Sequence, residues 1–201
     1  MSPARRDPAP ELPVLPFASA EAWARWLERH QATSPGVWLK LAKKQKTGAA
    51  VASVTYPEAV EVALCHGWID GQKKPLDDKW WLQKFVRRGP RSIWSRINKA
   101  KALSLIESGR MTAAGLAAIE QAKKGGQWKN AYASPATATV PRDLSAALDA
   151  NPRARAFFAT IDRTNRYAVI FRVASAKKPE TRARRITELV GMLARGEKLH
   201  P

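Results

Sequence analysis

The chain has 201 residues, 45% of them hydrophobic, and a formal net charge of +18 at pH 7. That length holds one large domain, or a core domain with a helical appendix, and eight Trp residues argue for a packed globule over a disordered chain. A single cysteine, Cys65, excludes an intramolecular disulfide and a cysteine-based zinc site, and no run of about 18 apolar residues is present to span a membrane.

Met1 to Pro13 reads as a flexible basic leader without the apolar core of a signal peptide, which places the protein in the bacterial cytoplasm. Ser19 is an N-cap for a helix with Trp23, Trp26 and Leu27 at i, i+3, i+4 spacing, ended by Ser34-Pro35-Gly36. Val37 to Ala42 alternates as a strand, and Lys43 to Ser53 reads as an exposed loop. Thr55-Tyr56-Pro57-Glu58 combines an N-cap, a first-turn Pro and a capping-box Glu, and the helix it starts runs to Gly67. Trp68 to Arg87 is then a β-hairpin or meander that turns at Asp77-Asp78.

From Ser92 a helix is predicted with Ile93, Ile97, Ala100 and Leu103 as its apolar stripe, broken at Gly109. Thr112 caps the next helix, which carries Leu116 and Ile119 and ends at Gly125-Gly126. Residues 133–140 (Ala-Ser-Pro-Ala-Thr-Ala-Thr-Val) form the best linker in the chain. Short helices follow: one around Leu144 and Leu148, one capped by Asn151-Pro152, one over Tyr167 to Ala174, and an amphipathic last helix from Pro179. The predicted fold is α+β: a core domain over 14–132 with a small antiparallel sheet packed with helices, then a C-terminal helical subdomain over 141–201.

The strings Gly67-Trp68-Ile69-Asp70-Gly71, Ser92-Ile93-Trp94-Ser95-Arg96-Ile97-Asn98, Gly109-Arg110-Met111 with Ala114-Gly115, and Lys177 to Ile186 resemble the YdeI/OmpD-associated, or bacteriocin-protection, family. The resemblance runs from about Phe17 to His200. Many relatives have Thr-Pro before the Arg of the basic turn, where this chain has Phe85-Val86-Arg87-Arg88. The resemblance implies protection against cationic peptides and an association with an outer-membrane porin, and it supplies no catalytic residues. A direct porin partner would require export, for which the sequence shows no signal.

Candidate chemistry concentrates between Cys65 and Lys101. Cys65 and His66 are adjacent on one helix and point about 100° apart, so they do not form a nucleophile–base pair. Cys65 reads as a small buried hydrophobe and His66 as a helix C-terminal residue. Asp70 either orients a ligand or an Arg, or closes an Asx-type turn on its own backbone. Lys84, Arg87, Arg88, Arg91, Arg96, Lys99 and Lys101 interleave with Trp80, Trp81, Phe85 and Trp94; cations would hold phosphates while exposed rings stack on bases, or the rings build the core while the cations reach water. Ser95 and Asn98 could complete an anion pocket at the start of the helix.

The candidate ligand-binding set is therefore Trp68, Asp70, Lys84, Arg87, Arg88, Trp94, Ser95, Arg96 and Asn98. Lys177, Lys178, Arg182, Arg184 and Arg185 are a second basic patch, either a solvated helix face or a dock for an acidic partner. No catalytic residue, metal site or cofactor is assigned. The leading expectation is a non-enzymatic cytoplasmic protein that engages an anionic ligand or partner, linked indirectly to stress or antimicrobial-peptide tolerance. A nucleic-acid-binding protein using residues 80–101, and an enzyme acting on a small anionic metabolite near Asp70, are the alternatives.

Overall fold

The structure, a computed structural model, describes residues 11–44 and 51–201. Most of the predicted leader and the middle of the predicted loop after Ala42 lie outside the described residues. The chain divides into two compact units: one holds the described residues up to Ser92 together with Asn98–Lys129, the other Ile93–Ile97 and Asn130–Pro201.

In chain order the first unit contains β1 (Val14–Pro16), α1 (Ala20–His30), β2 (Val37–Ala42), α2 (Tyr56–Cys65), β3 (Trp68–Pro75), β4 (Trp80–Arg87), most of α3 (Arg96–Glu107) and α4 (Ala113–Lys124). The predicted caps are in place. Ser19 Oγ accepts from the Ala22 amide, and Thr55 and Glu58 close a reciprocal capping box. The bonds that Glu58 accepts from the Thr55 amide and hydroxyl hold its carboxyl below the usual range.

The sheet runs β1-β2-β4-β3. β2, β4 and β3 are antiparallel neighbours, but β1 pairs parallel to β2, so the expected antiparallel sheet is mixed at one edge. The cause is topological. α1 is the crossover that returns the chain to the sheet in its original direction, as parallel pairing requires. Three residues between Pro13 and Phe17 carry too little pattern to announce a strand.

Period-2 alternation sends Leu39, Leu41 and Phe85 to the side covered by α1 and α2. Trp23 is the hub there. Its ring stacks on Trp26 at 5.4 Å, meets Phe85 at 5.7 Å and Trp68 edge-on at 6.3 Å, while its Nε1 donates to the Ala59 carbonyl at 3.2 Å. A buried indole needs such an acceptor, and this one ties α1 to α2. Gln83, also buried, donates from Nε2 to the Gly71 and Gln72 carbonyls and closes the bulge between Asp70 and Lys73.

Two predictions about the segment after Ser92 need correction. α3 begins at Arg96, and Ile93, Ile97 and Leu103 are 49%, 51% and 51% exposed. Its buried positions are Ala102 and Leu105, on the opposite side of the helix. Aliphatic spacing alone chose the wrong face, because here the small Ala102 permits close packing.

The second unit contains α5 (Arg142–Asp149), α6 (Pro152–Thr160), α7 (Arg163–Ala174) and α8 (Pro179–Ala194) around a core that includes Leu144, Phe158, Val173 and Leu193. Asn165 is its buried polar tie: Oδ1 accepts from the Leu199 and His200 amides, and Nδ2 donates to Asp162 and to the His200 carbonyl. Residues 133–140 are bonded into this unit. Tyr167 donates to the Ala133 carbonyl, Arg163 to that of Pro135, and Ala138 packs on the helical core. Ile93–Ile97 joins them through a bridge of Ser95 to Tyr132.

The α2–β3 turn sets the position of α4. Gly67 adopts φ +70°, and a Cβ there would stand 2.8 Å from the Ala114 carbonyl oxygen. A Cβ at Gly115 would collide with the Cys65 carbonyl oxygen and Met111 Sδ. Gly115→Ala is therefore expected to cost about 1–3 kcal/mol in a urea titration. Gly89→Ala, whose Cβ would meet nothing within 4 Å, should stay within about 0.5 kcal/mol.

Candidate functional site

Within the first unit, a cleft of about 710 Å³ opens beside that turn. Its sides come from four separate segments. The end of α1 and the loop after it supply Gln31, Ala32, Ser34 and Pro35, and the α2–β3 turn supplies His66 and Gly67. The end of β4 supplies Arg87, Arg88, Gly89 and Pro90, and one face of α4 supplies Ala114, Ala117, Ala118 and Gln121. The i, i+3, i+4 alanines make a shallow apolar wall that leaves the space open.

Among the described residues, no Asp or Glu lines this cleft. Arg87 is exposed and donates from Nη1 to the Ala32 carbonyl at 3.3 Å. Arg88 is buried at 6% exposure, with its amide bonded to the Gly67 carbonyl at 3.0 Å. His66, 5% exposed, has Nδ1 3.2 Å from Gln31 Oε1. With that oxygen as acceptor, Nδ1 carries the hydrogen and the neutral ring keeps its lone pair on Nε2. Burial pushes the His66 pKa below its ordinary 6.5, opposed more weakly by Glu28. Two guanidiniums and two side-chain amides can hold an anion through directed N–H donors, and the imidazole would add one at Nε2 only on gaining a proton.

Residues 15–118, just over half of the chain, match the family model described as Domain of unknown function (DUF8412). The chain belongs to this family. Residues 137–196 match a second model, OmdA, described as Bacteriocin-protection, YdeI or OmpD-Associated, the family that the sequence motifs resemble. The cleft residues Gln31 to Ala118 thus fall in the DUF8412 segment, and Lys177 to Ile186 in the OmdA segment. No curated protein and no solved structure matches the chain.

Of the residues singled out by sequence, Arg87 and Arg88 line the cleft of this DUF8412 protein. Trp68 is fully buried, edge-on to Trp23 and Trp26, and supports the core. Asp70 makes no local turn: its Oδ2 accepts from Tyr56 Oη at 2.8 Å, which pins β3 to the start of α2. Lys84 lies on the other face of the sheet, its Nζ 6.0 Å from the Trp38 ring. Trp94, Ser95 and Arg96 belong to the second unit; Trp94 is buried, and the Arg96 amide bonds the Tyr132 carbonyl at 2.8 Å. Asn98 lies in α3, outside the cleft.

In the second basic patch, Arg182 makes a two-point contact to Asp143 and also donates to the Val173 carbonyl. That guanidinium holds the Asp143 carboxyl below the usual range. Arg185 donates to the Arg172 carbonyl and Ser175 Oγ, and Arg184 lies 3.7 Å from Glu188. Lys177 and Lys178 sit in the turn before α8. Cys65 is buried, and that burial pushes its thiol pKa up, opposite to the shift a nucleophile needs.

Sequence reading missed Gln31, His66 and Gln121 as cleft residues. Among the described residues no group of three or more His, Cys, Asp and Glu is placed to hold a metal ion. Among them also, no helix is long and apolar enough to cross a membrane.

Because His66 is harder to protonate when folded, the unfolded chain takes up its proton first. Stability that depends on the neutral ring is present above pH 6.5 and is lost as pH falls below that value toward the lower folded pKa. Unfolding free energies from urea titrations are expected to decline below that pH, and His66→Gln should flatten the decline. An unchanged slope in the variant would show that His66 is not its source.

Proposed function

We propose that this chain is a non-catalytic binding protein of the bacterial cytoplasm that takes a small anionic ligand in the cleft beside Arg87 and Arg88. The observation that carries this reading is a cleft with two consecutive guanidiniums at its mouth and wall and, among the described residues, no acid in its lining. The net charge of +18 adds a long-range attraction for anions. Arg87, exposed and tethered by one long bond to a carbonyl, is free to turn toward a ligand. Arg88 is buried and fixes the local charge.

The enzyme reading loses its anchor, because Asp70 is engaged by Tyr56 and does not line the cleft. Any link to peptide tolerance, as the bacteriocin-protection name of the OmdA family suggests, is indirect: a chain of this charge repels cationic peptides. In the second unit, Lys177, Lys178 and Arg184 are the cations that an acidic partner would meet, since Arg182 and Arg185 brace helices.

Calorimetric titration with pyrophosphate and with sulfate tests the reading. Both should bind the wild-type protein, and Arg87→Ala should weaken binding about tenfold to a hundredfold, the equivalent of one charge-assisted contact of about 1.5–3 kcal/mol. Sulfate keeps its charge over the neutral range, so its affinity should rise as pH falls and His66 gains a proton. Absence of binding by either anion, or equal binding by Arg87→Ala, would overturn the proposal.

A further inference from the structure

The register of the sheet defines a second surface in the same unit. Cross-strand partners share a face. Trp38 pairs with Lys84, Lys40 with Leu82, Ala42 with Trp80, and Lys74 with Leu82. These residues therefore stand together on one side, while Trp81 and Phe85, one step along β4, point to the other side and meet Tyr56 of α2 and Trp23 of α1. The helices of this unit gather on that second side: α4 packs on α2, and Glu61 of α2 binds Lys101 of α3.

The outward face is a lattice of lysines and indoles. Lys40 Nζ lies 4.6 Å from the Trp80 ring centroid, and Lys74 Nζ and Lys84 Nζ lie 4.4 and 6.0 Å from that of Trp38. No outward position of β2, β3 or β4 is acidic. Trp38 and Leu82 are roofed by lysine stems, whereas Trp80 is only half-buried.

We infer that this face binds single-stranded nucleic acid. Residues on one face of a strand recur about every 6.8 Å, so Trp80 and Lys84 offer ring and cation in line on either side of the buried Leu82. An extended single strand presents bases and phosphates in similar alternation. A lysine resting over a half-exposed indole is held weakly and can swing to a phosphate, which leaves the ring for a base; stacking on an aromatic ring is the stronger contact of the two. A duplex keeps its bases inside and offers the indole nothing, and neither an acidic peptide nor a lipid headgroup carries a planar base for it. This surface is separate from the cleft beside Arg87.

The test is fluorescence anisotropy with a labelled oligothymidylate roughly twelve nucleotides long and the matching duplex, over a salt series. Wild-type protein should bind the single strand with an affinity that falls steeply with salt. Lys40→Glu with Lys74→Glu should weaken it at least about tenfold and flatten the salt dependence. Lys124→Glu with Lys129→Glu, the same change of net charge elsewhere on the unit, should have little effect. Trp80→Ala should weaken the single strand several-fold more than the duplex, and Trp80→Phe should restore most of the loss. Far-ultraviolet dichroism verifies that each variant is folded. No single-strand binding at low salt, equal losses in the two charge-reversal pairs, or a Trp80→Ala effect shared equally by duplex would each overturn the inference. Capture by anionic phosphatidylserine vesicles with the same dependence on Trp80 would overturn it too.

Discussion

The close approach of α4 to the turn between α2 and β3 governs the arrangement of the first unit. The Cys65 carbonyl oxygen accepts both the Thr112 amide and the Thr112 hydroxyl, the latter at 2.6 Å, so α4 is capped against the end of α2. Glycine at 67 and at 115 lets the backbones meet where any Cβ would keep them apart. One wall of the cleft follows from this contact, because Ala114, Ala117 and Ala118 face the space next to His66 and Arg88. The Arg88 amide bonds the carbonyl of Gly67 itself, so the same turn also fixes the end of β4.

Local physics was readable wherever it was carried by a few adjacent residues. The caps at Ser19, Thr55, Thr112 and Asn151, the turn at Asp77 and the stop at Gly67 each depend on one side chain and the backbone beside it. Features that depend on distant segments were not. His66 and Gln31 meet across 35 positions, and nothing in either neighbourhood announces the other. The basic aromatic run from Trp80 to Lys101 looked like one surface, yet strand alternation divides its first half between two faces and Trp94 to Arg96 belong to another unit. The aliphatic stripe of α3 misled for a related reason. Spacing identifies a helix face but not which face finds a partner.

The two sequence families within one chain correspond to different kinds of structure. The DUF8412 segment supplies most of the sheet and of the cleft, whereas the OmdA segment is helical, with arginines that largely serve its own carbonyls and Asp143. Positive charge therefore has two uses. In the helical unit it closes ends of helices and pairs across them; in the sheet unit, beside pairs such as Lys101 with Glu61, it also faces outward or into a cleft whose described lining has no Asp or Glu.

β3 is an edge strand, with one side of its backbone unclaimed by any neighbour in the sheet order. Such a strand invites pairing with a second molecule. Here the bulge after Asp70 breaks the flat run of amides, and Lys73, Lys74 and Pro75 follow it immediately. A second strand laid alongside would bring like charges together and would lose a donor at Pro75. The bulge and its lysines thus act as a guard against aggregation, so that a sheet rich in indoles can present an open edge without recruiting copies of itself.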